Sequence, residues 1–199
     1  MRSRVMFSLV IALGSVVLLS ASAAGPAARA DADALRQKFM QIATNAMAET
    51  PEARQTAVTE DEVNAYLQAL PAEELPQGLL DPQVNILPDG RLSGRATVDL
   101  DAIRAARAQD GAGTFIPLSG KVPVEATGVL RTGQGVGAFT LESVTISGVV
   151  VPKSMLQELI AQYTRSDASP EGVNLEAPFR LPARIREIRT ARGQAVIVQ

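Results

Sequence analysis

The spacing of apolar residues changes twice along the chain. Residues 33–48 contain neither glycine nor proline, and Leu35, Phe39, Ile42, Ala43, Ala46 and Met47 recur at helical spacing until Pro51 closes the segment. A second helix opens at Thr59-Glu60-Asp61-Glu62. Thr59 there is placed to cap, Glu62 stands at the reciprocal position of a capping box, and Val63, Tyr66, Leu67 and Leu70 follow as the apolar stripe up to Pro71. Residues 71–90 are punctuated by proline and read as loop, with a short strand over Gln83 to Leu87. From Arg91 the period becomes two. Ala96, Val98 and Leu100 alternate with Arg95, Thr97 and Asp99, the pattern of a half-buried antiparallel strand.

A brief helix is expected over Asp101 to Arg107, and strand resumes over Thr114 to Leu118. Val122, Val124, Ala126 and Leu130 continue the alternation. The turn Thr132-Gly133-Gln134-Gly135 joins them to a long extended run, Val136 to Val151, as a hairpin. Pro152 ends that run and the period returns to helical. Met155, Leu156, Leu159, Ile160 and Tyr163 form the apolar face of a helix expected over 154–165. After a polar loop the chain finishes in strands over Phe179 to Leu181, Ile185 to Ile188 and Ala195 to Val198, with a turn near Arg192-Gly193. Helices first, then consecutive strands, argue for an α+β domain with helices packed on an antiparallel sheet.

The N-terminal segment, 1–30, stands apart. Arg2 and Arg4 precede an apolar run of about 15 residues, short of the roughly 20 that span a bilayer, and small residues follow. That order is a secretory signal peptide. Ala28-Arg29-Ala30 favours cleavage after Ala30, Ser22 and Ala24 offer a second site, and an uncleaved signal anchor is the alternative. The expected division is therefore 1–30 as signal and 31–199 as one domain, delivered to the periplasm.

Composition then removes chemistry. The 199 residues contain no His and no Cys. A Ser-His-Asp triad, a thiolate nucleophile, disulfides and the common zinc ligands are all excluded. With Arg2, Arg4 and Arg29 set aside, the 19 basic groups fall to 16 against 21 acidic ones, a surface with no electrostatic footprint for nucleic acid. Gly133-x-Gly135-x-Gly137 precedes a strand, so it reads as a hairpin turn and not as a phosphate loop. Asp99 and Asp101, like Asp61 and Glu62, read as caps or solvated groups. Ser154 beside Lys153 reads as a helix cap. The one basic concentration, Arg184, Arg186, Arg189 and Arg192, reads as a solvated strand face, with contact to anionic headgroups as the alternative.

What remains is apolar surface interrupted by small residues, Ala126, Gly128, Ser147 and Gly148, which suits either a solid core or the wall of a cavity. The segments "VTEDEVNAYLQAL" (Val58 to Leu70), "GRLSGRATVDLDAI" (Gly90 to Ile103) and "FTLESVTISGVVVPKSMLQELI" (Phe139 to Ile160), with Pro182-Ala183-Arg184-Ile185 and the last strand, carry a resemblance. The chain resembles small periplasmic proteins of the tubular lipid-binding (TULIP-like) superfamily, without the lipobox cysteine that many of them carry.

That resemblance implies a long curved antiparallel sheet wrapped around an amphipathic C-terminal helix, with additional N-terminal helices. It implies a non-enzymatic protein, without metal or cofactor, that binds or transfers a phospholipid or other hydrophobic ligand in transient contact with a membrane. Leu156, Leu159, Ile160 and Tyr163 of the helix would face the ligand, with Val124, Ala126, Val144 and Ile146 on the opposite wall. The alternative is an envelope structural or assembly factor that presents the same fold to a partner protein or to a second copy of itself.

Overall fold

A computed structural model describes residues 25–109, 119–157, 174 and 176–199. The order of elements is α1 (Pro26–Met47), β1 (Gln55–Thr59), α2 (Glu60–Ala69), β2 (Leu79–Ile86), β3 (Arg91–Asp99), α3 (Leu100–Gln109), β4 (Lys121–Gly133), β5 (Val136–Ile146), β6 (Val149–Val150), β7 (Phe179–Arg180), β8 (Glu187–Ala191) and β9 (Gln194–Val198). The domain is α+β and its strand pairs are antiparallel. Among the described residues six strands form one sheet in the order β2-β3-β4-β5-β6, with β7 on the outer side of β5. Three form a second, in the order β1-β9-β8.

The main core lies under the small sheet. Leu35 and Ile42 of α1 pack with Val58 of β1, Ile185 and Ile197, joined by Phe39, Val63, Tyr66 and Leu181. Phe39 meets the Tyr66 ring edge to face at 5.6 Å between centroids, and the Arg36 guanidinium stands 5.7 Å from the same ring. Burial, reinforced by the Glu74 charge and opposed by Arg36, raises the Tyr66 pKa. Gln199 is buried against this core. Its Nε2 donates to the Ile42 and Ala183 carbonyls, its Oε1 accepts from Asn45 Nδ2, and its backbone N–H donates to the Arg54 carbonyl.

The expected capping box is present. Thr59 Oγ1 accepts from the Glu62 N–H and Glu62 Oε2 accepts from the Thr59 N–H. Glu62 is buried and also takes both contacts of the Lys38 ammonium, at 2.6 and 2.7 Å. Burial pulls its pKa up, but the hydrogen bond from Lys38, those from Thr59 and the Lys38 charge outweigh it and hold the carboxyl below its usual 4.5.

The small sheet and the large one meet at Ile86. Its N–H donates to Glu60 Oε2 at 2.7 Å and its C=O accepts from Gly193 N–H at 2.8 Å, while Gly193 C=O accepts from the Glu60 N–H. Two residues earlier, Asn64 holds both backbone groups of Val84, donating to its C=O at 2.9 Å and accepting from its N–H at 2.8 Å. These contacts occupy the outer edge of β2, which would otherwise offer free ladder groups.

Several sequence expectations are corrected. Helix α1 begins at Pro26, not near residue 33, with proline in its first turn. Strand β1 is absent from the sequence reading, and only Thr56 and Val58 of its five residues face the core. β2 is eight residues long. Pro82 gives it the look of a loop, but the proline sits on an edge strand where the register shifts between Leu80 and Gln83. The run Val136 to Val151 is broken at Ser147 and Gly148, both at positive φ, which makes a two-residue hairpin turn. Ser147 and Gly148 are thus at a sheet end and not within it. The strand expected from Ile185 starts at Glu187, because Ala183 and Arg184 adopt positive φ.

The strand expected over Thr114 to Leu118 lies outside the described residues. Of the helix expected over 154–165, residues 153–157 are helical, and 158–165 lie outside the described residues. The described C-terminal residues form strands β7 to β9.

Two consequences can be measured. Glu62→Gln should cost about 1.5–3 kcal/mol at neutral pH, the range for a hydrogen bond to a charged group. A carboxylate with a depressed folded pKa stabilises above its unfolded pKa and loses that contribution as pH falls through the folded value. The gap between wild type and variant in urea melts should therefore be full above about pH 5 and shrink below about pH 4. Asn64→Ala leaves the Val84 N–H and C=O without their side-chain partner. It should lower stability by about 1–3 kcal/mol, which in a chain of this size is a fall in Tm of roughly 2–12 °C.

Candidate functional site

The large sheet sorts its side chains by strand parity. Val84 of β2, Gly94 of β3, Ala126 of β4 and Val144 of β5 stand in one cross-strand row. Ala96, Val124, Ile146 and Val149 form the next. Ile86, Leu92, Gly128 and Leu141 form the row on the other side. One face is therefore aliphatic. The opposite face carries Gln83, Arg95 and Glu125 in one row, and Arg91 reaches Glu142 at 3.1 Å.

Four of the eight residues expected to line a ligand site come together on the aliphatic face. Val124 is directly opposite Ile146, and Ala126 directly opposite Val144. Val144 is buried, whereas Val124, Ala126 and Ile146 are half-buried. Leu156, also half-buried, lies in the helical residues 153–157. Leu159, Ile160 and Tyr163 lie outside the described residues. Gly94 and Val84 share the row of Ala126 and are not among the residues expected there. Gly94 could be found by extending the alternation of Ala96 and Val98 back by one step.

Two glycines on this face differ in what stands over them. A Cβ on Gly128 would meet the Phe139 ring at 2.3 Å and the Thr140 carbonyl oxygen at 2.7 Å, so Phe139 fills that place. A Cβ on Gly94 would meet, among the described residues, only the Gln83 carbonyl oxygen at 3.6 Å, an ordinary contact. Gly94 and Ala126 thus form a low floor between the branched side chains of Val84, Val124 and Val144. At the end of the neighbouring row Val149 is 68% exposed, while Val150, 67% exposed, ends the row of Gln83, Arg95 and Glu125 on the opposite face.

Two open depressions, each about 550 Å³ in volume, lie elsewhere. One runs between α1 and residues 48–54, lined by Met40, Thr44 and Arg54 among others. The second is beside Arg91, Arg131 and Glu142. Neither is lined by the aliphatic rows.

The polar groups singled out in the sequence serve structure. Asp99 Oδ1 accepts from the N–H groups of Asp101 and Ala102 at the start of α3, and Asp101 binds Arg104 and the Gly120 N–H. Lys153 pairs with Glu176 and Ser154 is exposed. Gly133 to Gly137 encloses the β4–β5 turn. Arg184, Arg186, Arg189 and Arg192 are exposed. Arg189 binds Glu187, and that hydrogen bond, with the Arg189 and Arg186 charges, lowers the Glu187 pKa against the opposing effect of desolvation. Among the described residues no group of three or more acidic side chains is placed to hold a metal ion. No helix among them is long and apolar enough to cross a membrane.

No protein-family model matches the chain, and no curated protein or solved structure matches it.

The difference between the two glycines is open to test. Gly94→Ala should raise stability by about 0.4–1 kcal/mol, because it restricts the unfolded chain and meets no obstacle. Gly128→Ala should lower stability by about 1–3 kcal/mol through overpacking against Phe139 and the Thr140 backbone. Urea melts of the two variants would separate them, and equal effects would mean that both positions are equally filled.

Proposed function

We propose that the chain is exported, and that it binds an acyl chain or similar hydrophobic ligand without catalysis on the aliphatic face of the large sheet. The observation that carries this reading is the floor of Gly94 and Ala126, flanked by Val84, Val124, Val144 and Ile146. Small residues in the middle of an aliphatic face leave room over the sheet, and at about 0.8 kcal/mol per buried CH₂ a ligand hiding ten methylenes there would gain about 8 kcal/mol. The resemblance to TULIP-like periplasmic proteins supports the same reading. It adds that the helix beginning at residue 153 closes the face, with Leu156 toward the ligand.

Export rests on the leader-like order of the first residues. In this reading cleavage after Ala24 suits the fold better than cleavage after Ala30, since α1 starts at Pro26 with the Arg29 N–H bonded to the Gly25 carbonyl. A chain starting at Asp31 would lose that first turn.

The experiment is a titration with a fluorescent fatty-acyl probe, run beside mass spectrometry of a solvent extract of the purified protein. Wild type should bind the probe and release a co-purified lipid. Ala126→Phe should fill the floor, weaken probe binding at least tenfold and stay folded by circular dichroism. A wild type that binds no probe and yields no lipid, or a variant that binds as wild type does, would overturn ligand binding in favour of an envelope assembly factor acting through protein contacts.

A further inference from the structure

We propose that the outer edge of β1 is a self-association surface, on which two copies of the chain pair β1 with β1, antiparallel, about a twofold axis at Thr56. The edge belongs to the small sheet and shares no residue with the aliphatic face.

An antiparallel strand turns the backbone groups of successive residues to opposite sides. Bonds at both ends of β1 show which residues face β9: Gln199 N–H donates to the Arg54 carbonyl, and Glu60 N–H to the Gly193 carbonyl. Residues 54, 56 and 58 therefore point inward to β9. The odd residues point outward, and the Thr59 N–H does so to reach Glu62 Oε2. The Thr59 carbonyl, at the helix N-cap, opens the hydrogen-bond ladder of α2. What remains is the N–H and C=O of Gln55 and of Ala57. Among the described residues these four groups have no partner.

Other edges are guarded, and the stretch of β5 between its pairings with β7 and β6 carries the Glu142 charge and a register shift. Asn64, Glu60 and Gly193 occupy β2. Thr132 Oγ1 accepts the Ile188 N–H of β8 and donates to the Ile188 carbonyl, and β6 is two residues long. Strand β1, Gln-Thr-Ala-Val-Thr, has no charge, no proline and no register shift, the usual guards of an exposed edge.

A second copy of the same strand matches this edge in one register. With the axis at Thr56, Gln55 stands opposite the partner's Ala57, and that pair exchanges both N–H···O bonds. The symmetric pair exchanges two more, so all four free groups on each strand are consumed. An axis at Ala57 would aim Gln55 at the partner's Thr59, whose groups are already taken. The antiparallel sense also brings Arg54 toward the partner's acidic first turn of α2, where Glu60 and Asp61 lie. Glu52 would stand opposite the partner's Glu60, which limits the pairing to residues 53–59.

So short a contact falls well below the roughly 1,200 Å² of a standard stable interface, so the dimer should be weak. Sedimentation velocity of the isolated full chain from about 1 µM to 1 mM should show a monomer at the low end and a concentration-dependent dimer at the high end. A monomer throughout would overturn the proposal. Ala57→Pro removes an outward N–H without touching the bonds to β9, and should be monomeric at every concentration with an unchanged circular dichroism spectrum. Should that spectrum change, Gln55→Lys, a guard charge on the same edge, takes its place. A dimer that survives the folded variant overturns the proposal.

The chain has no cysteine, so the register can be read directly. Thr56→Cys should give a covalent dimer on mild oxidation and Ala57→Cys should not. Cross-linking at 57 in preference to 56 would overturn the proposed axis.

Discussion

Ile86 is a residue on which the joining of the two sheets depends. It is 4% exposed, at the end of an edge strand, and neither of its backbone groups has a ladder neighbour on that side. Glu60 and Gly193 supply them, from the start of α2 and from the turn between β8 and β9. The bond from the Ile86 N–H goes to a carboxylate, which makes it stronger than a bond between neutral groups. The same two residues bond each other, so three separate segments converge on one point. Further joints lie on the far side of β8 and just before it, where the Thr132 hydroxyl exchanges two bonds with Ile188, the Gly90 N–H donates to Thr190 Oγ1 and the Gly135 N–H donates to the Arg186 carbonyl. With these joints in place, the small sheet packs its core against α1 and α2.

That division gives the molecule two kinds of apolar packing. Under the small sheet, aliphatic and aromatic side chains from α1, α2, β1 and β9 are closely fitted, with Leu35 at 1% exposure and the polar end of Gln199 satisfied from three sides. On the large sheet most apolar side chains are half-buried and the middle of the face is floored by glycine and alanine. The first arrangement accounts for stability. The second is the face on which the proposed ligand site lies.

The features legible in the sequence are those set by near neighbours. The Thr59–Glu62 capping box is a local pattern and can be read in full. The β4–β5 hairpin follows from a turn whose position glycine marks, but the opposition of Val124 with Ile146 and Ala126 with Val144 depends also on a register shift between Thr127 and Gly128, which leaves Glu142 unpaired and which the alternation does not reveal. β1 escapes a sequence reading because so short a segment between two helices carries only two inward side chains, too few for a period to show. β2 is hidden by Pro82, since a sequence does not say which strands will be edges. The break at Ser147-Gly148 is hidden because Val149, Val150 and Val151 prolong the apolar run past it. The packing of Leu35 against Ile185 and Ile197 joins segments from opposite ends of the domain and could not be read from either one. Nor could the surroundings of Gly94, where among the described residues only the Gln83 carbonyl oxygen comes within ordinary contact of an added Cβ.

The pairing of β1 with β9 has a consequence for the order of folding. Gln55 meets Val198, and the chain between them holds the whole of the large sheet. Closing so long a loop is slow compared with forming hairpins from adjacent strands. The hairpins β3–β4 and β4–β5 can therefore assemble early, while α1 waits with one side of its core missing. The small sheet can be completed only after β9 has arrived, so a polypeptide threaded from its N-terminus would stay incompletely folded until that strand had passed.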